Sequence, residues 1–194
     1  QCTVAPWYRG PRSESGVILS LSDVTELVSA SRENQYLANH DPLTGLYNRA
    51  ALDASLTELI ETMNGHQVQW AVLFMDLDHL KRINDTLGHK TGDGVLIAVA
   101  DRLKHVAHRP DLVYRLGGDE FVVLLPAIES AQTAAVVAER IASEIRKPIS
   151  LSGRDLWVDC SIGITIHPQF VSTVTDVLRN ADIAMYEAKR KNET

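Results

Sequence analysis

The run Gly117-Gly118-Asp119-Glu120-Phe121 sets two glycines and two carboxylates between Tyr114-Arg115-Leu116 and Val122-Val123-Leu124-Leu125, both of which read as β-strands. The pattern predicts a tight hairpin whose glycines let backbone approach a phosphate and whose acids sit at the tip. Taken alone, Gly and Asp in that order also make an ordinary solvated turn. A second acidic strand end, Phe74-Met75-Asp76-Leu77-Asp78, lies upstream and can face the first. Hard oxygen ligands on two neighbouring strand ends suit Mg²⁺ (or Mn²⁺), which takes one or two carboxylates and completes its shell with waters and substrate phosphates. Such a metal polarises a phosphoryl group and lowers the pKa of an attacking hydroxyl. Alternation puts Asp76 and Asp78 on one strand face without giving them one role.

Downstream of the acids, Lys81-Arg82-Ile83-Asn84-Asp85-Thr86-Leu87-Gly88-His89-Lys90-Thr91-Gly92-Asp93 reads as a polar loop punctuated by glycine. Its side chains hold the inventory for recognising a guanine. Asp93 accepts from the base N1–H and exocyclic amine, Asn84 both donates and accepts, and Lys81 offers a cation to phosphates. Each is weak alone, since Asn-Asp and Gly-His are common turn formers. Their position beside two acidic strand ends gives them weight.

These groups need a scaffold. Val68–Met75 is a continuous apolar strand, Asn48–Met63 a helix, and Gly94–Val106 a helix with Leu96, Val99 and Leu103 on one face. After the hairpin come a helix over Ala131–Arg146, a strand over Leu156–Ile166 and a helix over Val174–Lys191. The order does not alternate as in a doubly wound sheet. It predicts an α+β fold with a mixed or antiparallel central sheet flanked by helices, ferredoxin-like, of the polymerase-palm or nucleotidyl-cyclase kind. Trp70 and Trp157 are expected as core or sheet-edge aromatics, and Cys160 as a buried thiol in a strand.

The 194 residues, 45% of them apolar, suffice for one full core with an appendage. A net charge of −6 argues against a protein that wraps nucleic acid, and no stretch has the length of a membrane span. Cys2 and Cys160 are too few for a disulfide framework or zinc site, and His40, His66, His105 and His167 are too scattered for a metal cluster. The chain starts at Gln1 without a signal-peptide pattern and reads as a cytoplasmic piece of a longer protein, one that membrane segments elsewhere could anchor.

Five blocks, in order, resemble the GGDEF domains of bacterial diguanylate cyclases. They are Asp41-Pro42-Leu43-Thr44-Gly45-Leu46-Tyr47-Asn48-Arg49; Phe74 to Asp85 with Gly88-His89 and Gly92-Asp93; Arg115 to Phe121; Ser161-Ile162-Gly163-Ile164; and Ala181 to Lys189. The resemblance implies condensation of two GTP molecules into cyclic di-GMP with release of two pyrophosphates, at the interface of a homodimer. It implies that Asp76, Asp119, Glu120 and the Leu77 carbonyl hold Mg²⁺. Asp119 would be the base for the 3′-hydroxyl, with Glu120 a further acid beside it. Asn84, His89 and Asp93 would contact the nucleoside, Gly117 and Gly118 would admit the phosphates, and Lys81 and Lys189 would neutralise them. A rival implication is a GGDEF domain that binds GTP, turns over poorly and regulates a neighbouring domain such as a phosphodiesterase.

Three positions depart from the family pattern. His108 stands where a product-binding Arg is usual, ahead of Asp111 and with Arg109 displaced by one; an imidazole does not replace a bidentate guanidinium, so weak product inhibition is expected. Leu80 stands in place of Phe, and Glu193 in place of an Arg four residues after Lys189. The front end, with a strand pair around Gly10–Gly16 and the junction Asp23-Val24-Thr25-Glu26, resembles the last strands of a PAS sensor domain. The expected organisation is therefore 1–23 PAS-like strands, 24–40 a linker helix and 41–194 the cyclase domain.

Overall fold

In the computed structural model, the residues described are 2–9, 14–21, 34–63, 68–107, 112–167 and 173–192. The inhibitory-site positions His108 to Asp111, most of the expected linker helix, and Glu193 lie outside them. Two compact units are present, residues 1–38 and 39–194. In the first, β1 (Cys2–Arg9) and β2 (Glu14–Leu21) pair antiparallel from Cys2↔Leu21 to Arg9↔Glu14.

The second unit is built on β3 (Gln69–Asp78), β4 (Val113–Gly117), β5 (Glu120–Ile128) and β8 (Asp159–Ile166), in the order β4-β5-β3-β8. Every neighbouring pair is antiparallel. This is the α+β, ferredoxin-like sheet expected from the order of elements, and its pairing is antiparallel rather than mixed.

β3 is apolar from Trp70 to Met75 because both of its faces are covered there. Ala71, Leu73, Met75 and Leu77 face Val95, Val99 and Leu103 of α3 (His89–Ala107) and Ile141 and Ile145 of α4 (Ala131–Ile145). Trp70, Val72 and Phe74 face Leu52 and Leu56 of α1 (Arg49–Met63) and Val177, Leu178 and Ala181 of α5 (Val174–Asn192). Period-two alternation thus makes two cores from one strand, and it sends Asp76 and Asp78 to the α1/α5 side. Gly163 of β8 fixes the seat of α5: a Cβ there would lie 2.2 Å from the Ala181 carbonyl and from the Met185 nitrogen.

The helices begin where side chains can take up free amides. Asn48 Oδ1 accepts from the Ala51 amide at 3.1 Å, and Thr173 Oγ1 accepts from the Asp176 amide at 3.1 Å. Lys189, Arg190 and Lys191 fill the last turn of α5, where the helix dipole favours cations.

Three expectations need correction. The stretch Lys81–Asp93 is not a loop. It is helix α2 (Leu80–Leu87), a break at Gly88 (φ +85°), and the first turn of α3, which starts five residues before the expected Gly94. Leu80 on α2 and Val95, Leu96 and Val99 on α3 are buried, and this packing outweighs the local turn preference of Asn-Asp and Gly-His. The segment before β8 contains a separate small hairpin, β6 (Ile149–Leu151) and β7 (Arg154–Leu156), turning at Ser152 and Gly153, both at positive φ. Trp157 follows that hairpin outside any strand and is 67% exposed, so it is not a core aromatic. Trp70 and Cys160 are buried in strands as expected, and burial pushes the Cys160 thiol up to about 12.

Candidate active site

The strand and hairpin acids Asp76, Asp78, Asp119 and Glu120 gather at one end of the sheet. Glu120 opens β5 directly opposite Asp76 of β3, and Ser161 of β8 flanks Asp76 on the other side. Asp119 is joined to the same point through backbone, its carbonyl accepting from the Leu77 amide at 3.2 Å. Within a strand residue N–H and C=O point the same way, so the Leu77 carbonyl also faces the hairpin tip. Gly117 (φ +143°) and Gly118 (φ +54°) form that tip, exposed and in conformations costly for other residues. Phe121 points to the other side of the sheet and is fully buried, which anchors the hairpin.

A buried arginine holds the tip in place. Arg115 donates from Nη2 and Nε to the Gly118 carbonyl (2.8 and 3.2 Å) and from Nη1 to Asp41 Oδ1 at 2.8 Å. Asp41 in turn accepts from the amide and hydroxyl of Thr44 at 2.9 and 2.6 Å. Burial alone would raise the Asp41 pKa, but these hydrogen bonds outweigh it and hold the carboxyl below its ordinary value. The 41–46 turn is thereby tied to the glycine turn. Sequence reading assigned Asp41 and Arg115 only to matching motifs; nothing in the chain shows that two residues 74 apart form one clamp.

Lys189 crosses from α5 to donate to Asp76 Oδ1 at 2.5 Å, while Asp78 accepts from the Ser161 hydroxyl at 3.2 Å. The two aspartates, predicted to share a face, therefore have separate partners. Burial nevertheless pushes the Asp76 carboxyl up from its ordinary range; Lys189 opposes this, and Asp119 and Asp78 add repulsion. Glu120 is pushed up too, first by burial and then by Asp182, Asp76 and Asp119, with Arg49 opposing. Lys189 and Arg49 together leave this cluster short of positive charge. Among the described residues no three His, Cys, Asp or Glu side chains form a closed metal cage. A cluster of under-neutralised carboxylates with a backbone carbonyl suits a cation that keeps waters and phosphates in its shell, so the residues present fit Mg²⁺.

β3 runs straight into α2 through His79, whose φ is +64°. The first amides of a helix lack intrahelical acceptors, so the start of α2, with exposed Lys81, presents N–H donors and a cation beside Asp76. These amides have no signal in the sequence, where the polar, glycine-punctuated stretch has the pattern of a loop. Asn84 lies one turn further along α2. Its Oδ1 is buried without a hydrogen-bond partner among the described residues and rests against Gly92, where a Cβ would come within 1.9 Å. His89 and Asp93, four apart on α3, share one exposed face. Asn84, His89 and Asp93 thus surround the α2–α3 joint, while Asp76, Leu77, Asp119, Glu120 and Lys189 surround the sheet end from which α2 departs.

Known proteins resemble this chain over the region that carries these groups. The family described as diguanylate cyclase, GGDEF domain, matches residues 38–194. The diguanylate cyclase TpbB of Pseudomonas aeruginosa is 44% identical over 155 residues, covering 79% of this chain and 36% of TpbB. The bifunctional diguanylate cyclase/cyclic di-GMP phosphodiesterase MucR of the same organism is 44% identical over 165 residues, covering 85% of this chain and 24% of MucR. The chain thus spans between about a quarter and a third of the length of these relatives. Among solved structures, the isolated GGDEF domain of TpbB aligns with a TM-score of 0.74 at 44% identity, covering 78% of this chain and 89% of that one. The hairpin, the acidic sheet end and the helical joint all lie inside the matched region, and the chain belongs to the GGDEF family of diguanylate cyclases.

Proposed function

We propose that residues 41–194 form a Mg²⁺-dependent cyclase that joins two GTP molecules into cyclic di-GMP and releases two pyrophosphates. The observation that carries this reading is the meeting of Asp76, Asp119 and Glu120 with Lys189 at the sheet end where α2 begins. Asp76, Asp119, Glu120 and the Leu77 carbonyl would hold Mg²⁺, which when bound supplies charge neutralisation at the α-phosphate. The amides opening α2, with Lys81 and Lys189, neutralise the polyphosphate, and the Gly117–Gly118 backbone lets it approach. Asn84 and Asp93 read the guanine edge, and His89 contacts the nucleoside. Asp119 takes the proton from the 3′-hydroxyl of the GTP held by a second copy as that oxygen bonds to the α-phosphorus and pyrophosphate leaves. One chain supplies one such set of groups, so two copies must meet, and most of the rate gain is positioning and charge stabilisation.

Under this reading the chain is a cytoplasmic output module. Residues 1–23 are the last strands of a PAS-like sensor, and 24–40 are the linker. Supporting the placement in a longer signalling protein, the relatives extend well beyond the matched region. No helix among the described residues is long and apolar enough to cross a membrane. A second reading, a GTP-binding domain that regulates a neighbour and turns over weakly, is favoured by one comparison: a relative 35% identical is named a cyclic di-GMP phosphodiesterase, NbdA.

Incubation with GTP and Mg²⁺ beside Asp119→Ala separates the two. Cyclic di-GMP from the parent and none from the variant is the expected outcome. GTP binding without product at high protein concentration refutes the cyclase and leaves the regulatory module.

A further inference from the structure

Two features border the acidic cluster and, Glu120 apart, take no part in the chemistry above. The first is a groove of about 540 Å³ between α1 and α5. Phe74 and Leu178 give it apolar surface, and Arg49, Thr57, Glu120 and Asp182 line it with polar groups. Among the described residues, Arg49 and Glu120 have no ion pair or side-chain hydrogen bond. The second is Tyr186 on α5, 60% exposed beside Ile183, which is 55% exposed. At 3.6 residues per turn, Tyr186 lies about 40° around the helix from Asp182 and about 60° from Lys189. Asp182 lines the groove and Lys189 reaches Asp76, so the tyrosine stands on the flank of α5 that borders both.

We propose that Tyr186 of one copy seats in the α1–α5 groove of a second copy, and reciprocally, so that two exchanged tyrosines bring the two nucleotide sites face to face. This rests on the cyclase reading, in which each site is incomplete without a second copy. A two-fold contact requires that residue i meet j while j meets i. A projecting ring and a receiving groove side by side on one helix meet that requirement, because an axis between them exchanges both. The ring covers Phe74 and Leu178, its hydroxyl donates to Asp182 or accepts from Arg49, and the guanidinium can lie over its face. The groove is larger than one phenol ring, so water shares it and the contact is a weak, transient one. That suits a pair that must separate to release product. Arg49 and Arg179 on one side of the balance and Asp53 and Asp182 on the other supply both signs of charge around the groove, so identical surfaces do not repel as wholes.

The test replaces Tyr186→p-benzoylphenylalanine, which keeps an aromatic ring, and mixes this chain with isotopically heavy parent chain, Mg²⁺ and a non-reactive GTP analogue. Irradiation should link position 186 of the light chain to heavy-chain peptides spanning residues 49–57. Ile97→p-benzoylphenylalanine, on exposed α3, serves as control and should give no such link. Tyr186→Ala should raise the dimer dissociation constant at least tenfold by sedimentation velocity, with single-chain affinity for the analogue unchanged. Links elsewhere, links equal to those of the control, an unchanged dimer constant, or lost nucleotide affinity each overturn the proposal. None of these readouts needs turnover, so a parent chain that docks this way yet yields no cyclic di-GMP refutes the cyclase reading alone.

Discussion

Gly92→Ala isolates guanine recognition from the rest of the site. A Cβ at position 92 would stand 1.9 Å from Asn84 Oδ1 and 2.8 Å from Asn84 Cγ. Real contacts of that kind do not fall below 3.0 Å, so the amide must leave its place against α3. The helix itself gains, since alanine is favoured over glycine inside a helix by about 1 kcal/mol. Fold stability should therefore change little. Asn84 can exchange two hydrogen bonds with a guanine edge, and at about 1 kcal/mol net for each their loss costs about 2 kcal/mol. That is roughly a 30-fold weaker affinity for GTP at 1.4 kcal/mol per tenfold. Titration calorimetry with a non-reactive GTP analogue measures it, with the ATP counterpart as reference: ATP affinity should hardly move, so selectivity falls. Asn84→Ala should reproduce the loss, and the double variant should lose no more than either single one, as for two residues acting through one contact. GTP affinity within twofold of the parent, or additive losses, would show that Asn84 does not read the base from this position.

The remaining predictions concern charge and the hairpin. Glu120 has a raised pKa in the folded chain, so the native state binds more protons than the unfolded one, and stability falls as pH climbs above the ordinary value of 4.5. Glu120→Gln should match the parent in melting temperature at pH 4 and exceed it at pH 7, while losing cyclase activity; a variant less stable at pH 7 would contradict the shift. Mg²⁺ without nucleotide should raise the melting temperature of the parent by binding only the folded state, and Asp76→Asn should remove that rise. A rise of the same size in the variant would place the ion elsewhere. Arg115→Met leaves Asp41 and the Gly118 carbonyl without their shared donor. Breaking such a buried pair should cost about 3–5 kcal/mol, read as a lower urea midpoint with an unchanged slope; a loss under about 0.5 kcal/mol would show that the clamp is dispensable.

The sequence alone determined what depends on local pattern. Gly117-Gly118-Asp119 dictated its hairpin because positive φ and short polar side chains are properties of single residues. The apolar run to Met75 dictated a strand covered on both faces, and the local pattern found α1, α4 and α5 within a residue of their ends and α3 without its first five residues. The motifs also named the acids that the structure brings to one sheet end. The β6–β7 hairpin had a legible signal in Ser152-Gly153, masked by strands of only three residues each. Tertiary structure decided the rest, since it depends on groups far apart in the chain. α2 and α3 replaced the expected loop because their buried leucines and valines pay more than local turn preference. Lys189 reaches Asp76 across 113 residues only because Gly163 lets the α5 backbone lie directly on β8. Arg115 meets Asp41 only because the 41–46 turn lies along the free edge of β4, where the Arg115 amide donates to the Tyr47 carbonyl at 2.8 Å. Periodicity specifies which face of each element is buried; which charge meets which is fixed when those faces pack.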